Sequence, residues 1–458
     1  MRKLFTCLLT VFATVALLVS CTCNQPQGWC PTSPEWSKSS TIYEVNLRQF
    51  TPEGTIAAFR EHLPRLKELG VDILWFMPMH PIGVEERKDG PDCLGSYYSV
   101  VCFRSINPEY GTEQEFIDLV KEIHRMGMRV ILDYVPNHTA RDHSWITDHP
   151  DFYVWNEDRT AIVAPYDWTD VAQLDWQNPD VWDAVQADLE YQVRTWNIDG
   201  FRQDVAGYVP VAFWERARRE LDKIKPLFWL AEDEGWSVFL HRAFDANYAW
   251  HFSNELLNGI AQGRRNVGDL MTYLEKSRRI NPARGYRMMF TSNHDENSWV
   301  DTEFKRMGDA VRTMAVLTFT FENSFPLIYS GQEVGFDKKL RFFQKDTILW
   351  DDPHGFTPFY QTLTAMKRNN EALWNGEFGG RMVRINTNEQ NKVLAFVREK
   401  NGNKVFTVLN LSKDPVDIVL EGCRYVGEYT EVFSGNKQTF SANHRMSLKP
   451  WEYQIFVK

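Results

Sequence analysis

Four short segments of the sequence place carboxylates and histidines where an apolar run ends. They are DYVPNH (133–138), GFRQD (200–204), LAE (230–232) and FTSNHD (290–295). Aspartate, glutamate and histidine are the side chains that most often transfer protons in enzymes. One strand-end aspartate could simply cap the next helix, but four such segments in order are hard to explain by capping. The pattern therefore predicts an active site assembled from several strand ends.

Alternating strand and helix patterns surround these segments. VDILWFMP (71–78) and RVILDYVP (129–136) are continuous apolar runs, as expected for strands buried on both faces. Between them, Thr112 and Glu115 form a capping box and Gly127 follows the last turn, which predicts a helix over 112–126. Further helices are predicted over 56–69 and 178–196, and further strands over 40–50, 200–205, 228–232, 287–295 and 325–333.

The number of candidate strands between 40 and 333 is near eight. Repeated strand–helix units indicate a parallel sheet, and this number favours a closed (β/α)₈ TIM barrel. An open dinucleotide-binding sheet is disfavoured because no Gly-rich phosphate-binding turn follows the first strand. In a TIM barrel the carboxyl ends of the strands meet at one face, where active sites lie. The four polar segments would then share one site.

Two further regions depart from the barrel pattern. Residues 139–176 are polar, Trp-rich and too long for a routine loop, so we predict a small excursion subdomain after strand three. After residue 372, short alternating runs are separated by turn residues, which predicts a C-terminal antiparallel β-sandwich over 373–458. The catalytic barrel would span 40–372.

The charge balance excludes one class of partner. The 458 residues include 51 Lys and Arg against 61 Asp and Glu, a net charge of −10, and no basic stripe is visible. A surface that binds nucleic acid needs such a stripe, so no nucleic-acid partner is expected. Protein partners and oligomeric state are left open.

The N-terminus predicts export. Residues 1–20 combine Arg2 and Lys3 with an apolar stretch, as in a secretory signal. The end of this stretch, LVSC (18–21), resembles the bacterial lipobox, which implies cleavage before Cys21 and a lipid on its sulfur. The protein would then be an exported lipoprotein of the cell envelope, tethered to a membrane by residues 21–39. The membrane face stays open, and the alternatives are an ordinary secretory signal or an uncleaved anchor.

The remaining cysteines predict no metal or redox chemistry. Cys23, Cys30, Cys93, Cys102 and Cys423 show neither a CxxC pair nor zinc-ligand spacing. An exported protein can form disulfides, and Cys23–Cys30 or Cys93–Cys102 are conceivable pairs. The odd count leaves at least one thiol free or paired between chains.

The four segments, together with LGSYYSV (94–100), INPEYGT (106–112) and IYSGQE (328–333), closely resemble the α-amylase family, glycoside hydrolase family 13. The resemblance extends over nearly the whole chain from about Thr41. It implies a TIM barrel with an excursion after strand three and a β-rich C-terminal domain. It also implies a retaining hydrolase of α-glucosidic bonds, foremost α-1,4, in starch, glycogen or maltodextrins.

The resemblance also implies roles for the polar residues. Asp204 would be the nucleophile, Glu232 the general acid and base, and Asp295 a carboxylate that favours the charged transition state. Arg202 would hold Asp204 ionised and belong to the substrate-binding set. The other members of that set would be Tyr98, His138 and His294. Asp133 would support the site without touching substrate. The two reacting carboxyls of a retaining enzyme lie roughly 5–5.5 Å apart.

The sequence departs from the family pattern in places that bear on calcium and on the leaving sugar. Many α-amylases have Lys-His where this chain has Gly207-Tyr208, and Cys102-Phe103 replaces a usual Asp-Tyr. No cofactor is expected to be required. A structural calcium is conceivable because Asn137 occupies a family ligand position, although an asparagine there can equally brace His138.

Three functions stay open at this point. The leading one is an α-amylase-like hydrolase. The second is an α-glucosidase or a transglycosylase on short α-glucans, because both would use the same covalent intermediate. The third is a non-catalytic glycan-binding protein, which is disfavoured because Asp204, Glu232 and Asp295 are all present. Bond preference and endo or exo action are not determined by these motifs.

Overall fold

A computed structural model describes residues 31–88, 90 and 92–458. The predicted signal segment, the lipid site at Cys21 and a Cys23–Cys30 pair therefore lie outside the described residues. The strands are β1 (Ile42–Val45), β2 (Ile73–Phe76), β3 (Arg129–Tyr134), β4 (His138–Ala140), β5 (Val171–Gln173), β6 (Gly200–Gln203), β7 (Phe228–Ala231), β8 (Ala246–Tyr248), β9 (Tyr286–Met289), β10 (Ser324–Tyr329), β11 (Met382–Ile385), β12 (Val393–Lys400), β13 (Asn403–Asn410), β14 (Val416–Val419), β15 (Gly427–Glu431), β16 (Lys437–Phe440), β17 (Arg445–Leu448) and β18 (Tyr453–Val457).

Eight parallel strands close into a barrel in the order β1-β10-β9-β8-β7-β6-β3-β2. Closure is made by β1, in which Ile42 pairs with Ile73 of β2 and with Leu327 of β10. Apolar side chains from all parts of the ring fill the interior, among them Trp75, Phe228 and Phe325. The predicted TIM barrel is confirmed. The strand over 246–248 was not predicted, because three residues are too few to show a period.

The barrel strands pack closely enough to dictate one residue type. At Gly200, the first residue of β6, a Cβ atom would lie 2.0 Å from the carbonyl oxygen of Phe228 on β7. Only glycine therefore allows β6 to start at this position beside β7.

Thirteen α-helices occur in the described residues. They are α1 (Leu47–Phe50), α2 (Ile56–Arg60), α3 (Leu63–Leu69), α4 (Glu113–Arg125), α5 (Trp145–Asp148), α6 (Pro179–Tyr191), α7 (Val211–Leu221), α8 (Phe239–Arg242), α9 (Asn258–Ala261), α10 (Val267–Ile280), α11 (Glu303–Met307), α12 (Val311–Thr320) and α13 (Phe356–Asn369). The predicted capping box of α4 is present, with Thr112 and Glu115 exchanging hydrogen bonds. The single helix predicted over 56–69 is wrong: it divides into α2 and α3, because Pro64 starts a new helix in its first turn.

Residues expected to be part of a flexible tether instead pack against the barrel. The prediction over 21–39 is wrong for 33–37: the hydroxyl of Ser33 donates to Asp245 at 2.8 Å, and the ring of Trp36 lies 5.9 Å from that of Phe228. Ser37 is fully buried. An apolar indole that covers the amino-terminal end of the barrel is more stable there than in water.

The excursion after β3 is built on the hairpin of β4 and β5, in which His138 pairs with Gln173. The C-terminal region contains a six-stranded antiparallel sheet in the order β11-β12-β13-β18-β15-β16 and a two-stranded sheet of β14 and β17. Their facing side chains form a separate apolar core around Phe406 and Phe456. The predicted C-terminal sandwich is confirmed.

Buried cations connect the C-terminal sheet to the barrel. Arg398 of β12 is fully buried and donates to the carbonyl oxygens of Gly380, Thr320 and Phe321. Lys367 of α13 is also fully buried and donates to the carbonyl oxygens of Ser324 and Leu373. Both side chains therefore pair with backbone carbonyl oxygens and with no carboxylate.

Neither a disulfide nor a membrane-spanning helix occurs in the described residues. Cys93, Cys102 and Cys423 are free, so the conceivable Cys93–Cys102 disulfide is wrong. Among the helices of the described residues, none combines the length and the apolar character that crossing a bilayer demands.

Candidate active site

One buried guanidinium collects the carboxylates that the sequence singled out. Nη1 of Arg202 lies 2.8 Å from Oδ1 of Asp204 and 2.8 Å from Oδ1 of Asp133. Nη2 lies 2.8 Å from Oε2 of Glu232, an ion pair without well-directed hydrogen-bond geometry. Nε donates to the hydroxyl of Tyr248. The carboxyl ends of β3, β6 and β7 thus meet around a single positive charge, as predicted from the strand ends.

A cavity of about 360 Å³ opens above this cluster. Six predicted site residues line it, namely Tyr98, His138, Asp204, Glu232, His294 and Asp295. Arg202 is fully buried beneath them and does not line the cavity. Its contacts are those of a support for the carboxylates, and its membership of the substrate-binding set stays a prediction. Asp133 is likewise fully buried and supports the site from below.

The carboxyl group of Glu232 lies in a setting that favours its protonated form. Burial raises its pKa to about 8, helped by the negative charges of Asp204 and Asp295 and opposed by Arg202. The backbone N–H of Val205 donates to Oε2 at 2.8 Å, which orients the group. A carboxyl that is neutral near pH 7 can donate a proton, as a general acid must.

The backbone is strained immediately after Asp204. Val205 has φ of 38° and ψ of 46°, a left-handed conformation that a β-branched residue rarely adopts. This turn directs the Val205 N–H at Glu232 while the carboxylate of Asp204 stays on Arg202. Strain of this kind persists where surrounding contacts impose it, commonly at functional sites.

His294 connects the cavity to a residue that the sequence analysis missed. Its Nδ1 bonds to Oε1 of Glu44, while its Nε2 lies 2.8 Å from the hydroxyl of Tyr98 and 3.4 Å from Oδ2 of Asp295. Although burial lowers it, the charges of Asp295 and Glu44 raise the pKa of His294 to about 9. The imidazole is therefore cationic at neutral pH. Glu44 could have been noticed as a lone charge inside the apolar strand TIYEV (41–45).

His138 is held differently from His294. Burial lowers its pKa, although Asp204 and Asp170 oppose the shift. Its Nδ1 lies 3.3 Å from Nδ2 of Asn137, and its ring lies 5.6 Å from that of Trp168. A neutral imidazole and a cationic one thus line the same cavity.

The walls of the cavity contain aromatic side chains that the sequence analysis did not assign to the site. Tyr98 stacks on Phe342 with centroids 6.3 Å apart and planes 9° apart, and Trp299 lies 4.8 Å from Phe342. Trp168 contributes to the same lining. Aromatic faces of this kind suit the apolar faces of sugar rings.

The surroundings of Asn137 bear on the structural calcium that the sequence left conceivable. In the part of the chain that the structure describes, no three His, Cys, Asp or Glu side chains are grouped to hold a metal ion. The side-chain Nδ2 of Asn137 lies 3.3 Å from Nδ1 of His138, and the backbone carbonyl oxygen of Asn137 accepts the N–H of Leu174. Calcium takes six to eight oxygen ligands, which include backbone and amide carbonyls and water, so a structural calcium here stays a prediction. We therefore derive no step through calcium.

Comparisons with known proteins agree with this geometry. The profile "Alpha amylase, catalytic domain" matches residues 31–400, and "Maltogenic Amylase, C-terminal domain" matches residues 384–455. Alpha-amylase 3 of Dictyoglomus thermophilum is 23% identical, over 82% of this chain and 86% of its own length. A cyclomaltodextrinase of a Bacillus species is 25% identical, over 83% of this chain and 74% of its own length.

Among solved structures, a maltogenic alpha-amylase from Thermotoga neapolitana superposes with a TM-score of 0.82 at 25% identity, covering 92% of this chain and 99% of that one. Because the catalytic-domain profile spans most of the sequence, the chain belongs to the alpha-amylase family of glycoside hydrolases.

Proposed function

We propose that this enzyme hydrolyses α-1,4-glucosidic bonds of starch, glycogen or maltodextrins with retention of configuration. One observation carries the proposal: Arg202 contacts Asp204 and Glu232 with two different nitrogens, so both carboxyls are held side by side at the cavity floor. A nucleophile and an acid held close together are what a double displacement requires.

In the first step, Asp204 attacks the anomeric carbon and Glu232 gives its proton to the glycosidic oxygen. The glycosidic bond breaks, and the sugar becomes bonded to the Asp204 carboxylate. Arg202 orients the carboxylate of Asp204, because its buried guanidinium lies 2.8 Å from Oδ1. Because its pKa is raised to about 8, Glu232 is protonated at neutral pH and can give this proton.

In the second step, Glu232 takes a proton from water as the water oxygen attacks the same carbon. Asp204 leaves as a carboxylate, and Glu232 regains its starting form. Positive charge develops on the sugar in both steps, and Asp295 lies at the cavity surface to oppose it. The cationic His294 beside Asp295 and the neutral His138 can donate hydrogen bonds to sugar hydroxyls.

The stereochemistry of the product tests this proposal. The full chain is incubated with maltoheptaose, and the first product is followed by proton NMR before it mutarotates. We expect the α-anomer, together with mixed short maltooligosaccharides on chromatography. A β-anomer would contradict the assignment of Asp204 as nucleophile.

The assignment of Glu232 has its own test. Glu232→Gln should lose on the order of 10³-fold in kcat/KM on maltoheptaose, whose leaving group needs protonation, and far less on maltosyl fluoride, whose leaving group does not. Equal losses on both substrates would refute the acid role.

We further propose that the protein is exported and anchored through a lipid on Cys21, as the sequence of residues 1–21 suggests. Cys21→Ser should release the enzyme from the membrane fraction of a bacterial host, and metabolic labelling with a fatty acid should lose its signal. Labelling that persists in the variant would contradict the anchor.

A further inference from the structure

The end of the barrel away from the catalytic cavity collects the last turns of several helices. In a (β/α)₈ barrel the helices run antiparallel to the strands, so each helix ends where the next strand begins. Asp199, which directly precedes β6, pairs with His124 in the last turn of α4 and with Lys225 after α7. Arg284, just before β9, donates to the carbonyl oxygen of Leu240 in α8. We refer to this end of the barrel as the base.

Basic side chains lie along one half of the base. Arg125, Arg242 and Arg279 belong to the last turns of α4, α8 and α10, and Lys223 follows the end of α7. The strands that begin after these four helices belong to the consecutive run β3-β6-β7-β8-β9 of the barrel. A cation is favourable at any helix C-terminus, and the barrel topology brings these cations to one surface. We call these four residues the basic arc.

Carboxylates do not cancel the charge of the basic arc. Arg125, Arg242 and Arg279 are exposed, and within the described part of the chain none of them has an ion-pair partner within 4.0 Å. Carboxylates near these helix ends already have basic partners, in the pairs Glu35–Lys38, Glu122–Arg60, Glu190–Arg194, Glu220–Lys223, Asp222–Arg218 and Glu275–Arg278. A positive surface therefore remains on a chain whose net charge is −10.

The amino-terminal segment of the described chain is fixed at the same end. The hydroxyl of Ser33 and the guanidinium of Arg218 both donate to Asp245, which directly precedes β8. The ring of Trp36 lies 5.9 Å from that of Phe228, the first residue of β7. The chain therefore continues toward its N-terminus from the base and not from the cavity.

We propose that the basic arc contacts the anionic phospholipids of the membrane to which the protein is tethered. This inference rests on the proposed lipid anchor at Cys21. Residues 22–30 span at most about 30 Å when fully extended, so the anchor would keep the base near the bilayer. Basic side chains are attracted to anionic headgroups within a Debye length, about 8 Å at physiological salt. The cavity, at the opposite end of the barrel, would then open away from the membrane.

Vesicle binding tests the basic arc without the lipid. The full chain with Cys21→Ser is mixed with vesicles of phosphatidylcholine alone, or of equimolar phosphatidylglycerol and phosphatidylcholine, and the bound fraction is measured by sedimentation. We expect binding to the mixed vesicles that weakens as salt is added, because the attraction is electrostatic. The apolar segment within residues 1–20, if retained, would bind both kinds of vesicle, so the difference between them measures the arc.

A triple variant removes the unpaired charges of the basic arc. Arg125→Gln with Arg242→Gln and Arg279→Gln should weaken binding to the mixed vesicles on the order of 100-fold. These positions are exposed and lie at the other end of the barrel from the cavity. The variant should therefore keep its melting temperature and keep kcat on maltoheptaose within about twofold.

A matched triple variant controls for the net charge. Lys413→Gln with Arg445→Gln and Lys449→Gln removes the same charge from exposed positions of the C-terminal region. Because these positions lie outside the basic arc, binding to the mixed vesicles should change less than about threefold. Equal losses in the two triple variants would overturn the inference, since net charge alone would then explain the binding.

Other outcomes would also overturn the basic arc as a membrane contact. One is equal binding to the two kinds of vesicle, and another is tighter binding to duplex DNA than to the mixed vesicles. Both outcomes leave the proposed hydrolysis and the lipid anchor standing, because product NMR and fatty-acid labelling test those separately. Failed labelling at Cys21 would remove the tether, and with it the membrane assigned to the arc.

Discussion

The buried cations at the two ends of the barrel have different partners: carboxylates at one end and backbone carbonyl oxygens at the other. Arg202, below the cavity, has three carboxylates within 2.8 Å. Arg398 and Lys367, where the barrel meets the C-terminal sheet, contact carbonyl oxygens. The carboxylates raise the pKa of Arg202 well above its usual value, against the effect of burial, whereas burial lowers that of Arg398 to about 10.

The difference shows which end can do chemistry. Of the carboxyls that share Arg202, Glu232 lines the cavity and has a pKa raised to about 8, so it can exchange a proton with a substrate. Carbonyl oxygens cannot change their charge, so the junction can only hold the chain in place. Variants at the two ends should therefore affect different quantities: turnover at the cavity and the free energy of unfolding at the junction.

The largest expected effect is on turnover. Asp204→Asn removes the proposed nucleophile and should lower kcat on maltoheptaose on the order of 10⁴-fold. Asp199→Asn is the matched control, because Asp199 directly precedes the same strand at its other end, paired with His124 and Lys225. It should keep kcat within about threefold. Similar losses in both variants would remove the distinction between the two ends.

The next effect is on stability. Arg398→Met leaves buried carbonyl oxygens without donors and should lower the free energy of unfolding by about 3 kcal/mol, with kcat of the folded enzyme unchanged. The free energy of unfolding is measured by denaturant titration, with tryptophan fluorescence as the signal. Arg384→Met, on the neighbouring strand β11 but more exposed, should cost less than about 1 kcal/mol. Equal costs would contradict a special role for Arg398.

The pH profile gives a smaller effect at the cavity. A general acid works only while protonated, and the pKa of Glu232 is raised to about 8. The value of kcat/KM for maltoheptaose should therefore be retained below pH 8 and fall about tenfold per unit above it. The same parameter for maltosyl fluoride should not fall between pH 7 and 9. Parallel alkaline losses on both substrates would exclude Glu232 as their source.

The smallest effect is the pH dependence that Lys367, at the junction, gives to the free energy of unfolding. Burial lowers the pKa of Lys367 well below 10.5. Between the lowered pKa of the folded state and 10.5, the unfolded chain binds more protons than the folded chain, so stability rises with pH in this window. Relative to Lys367→Met, the wild type should gain up to about 1.4 kcal/mol per pH unit within this window and level off above pH 10.5. A difference that does not vary with pH would indicate that Lys367 keeps an ordinary pKa.

The sequence predicted what local patterns determine. Apolar runs such as 71–78 and 129–136 had to be buried on both faces, and the capping box at Thr112 marked the start of α4. The number of candidate strands then predicted the barrel. The barrel in turn predicted that the four polar segments meet at one face. The strand over 246–248 escaped because its burial depends on the neighbouring strands and not on its own three residues.

Contacts between distant segments could not be predicted in this way. Glu44 meets His294 across 250 positions only because β1 closes the ring. Arg398 reads as an ordinary polar residue of β12, yet it reaches the end of α12. The left-handed backbone at Tyr166 could not be predicted, because tyrosine has no preference for that conformation. Each of these depends on how elements pack, which periodicity does not encode.

The strained Val205 also bears on how this enzyme could evolve or be engineered. Glycine would adopt its backbone angles without strain, so screening for heat resistance alone would tend to replace valine there. The glycine would also loosen the turn that aims an N–H at Glu232. Variants selected for stability should therefore be assayed for turnover as well as for melting temperature, because a change at position 205 should raise one and lower the other.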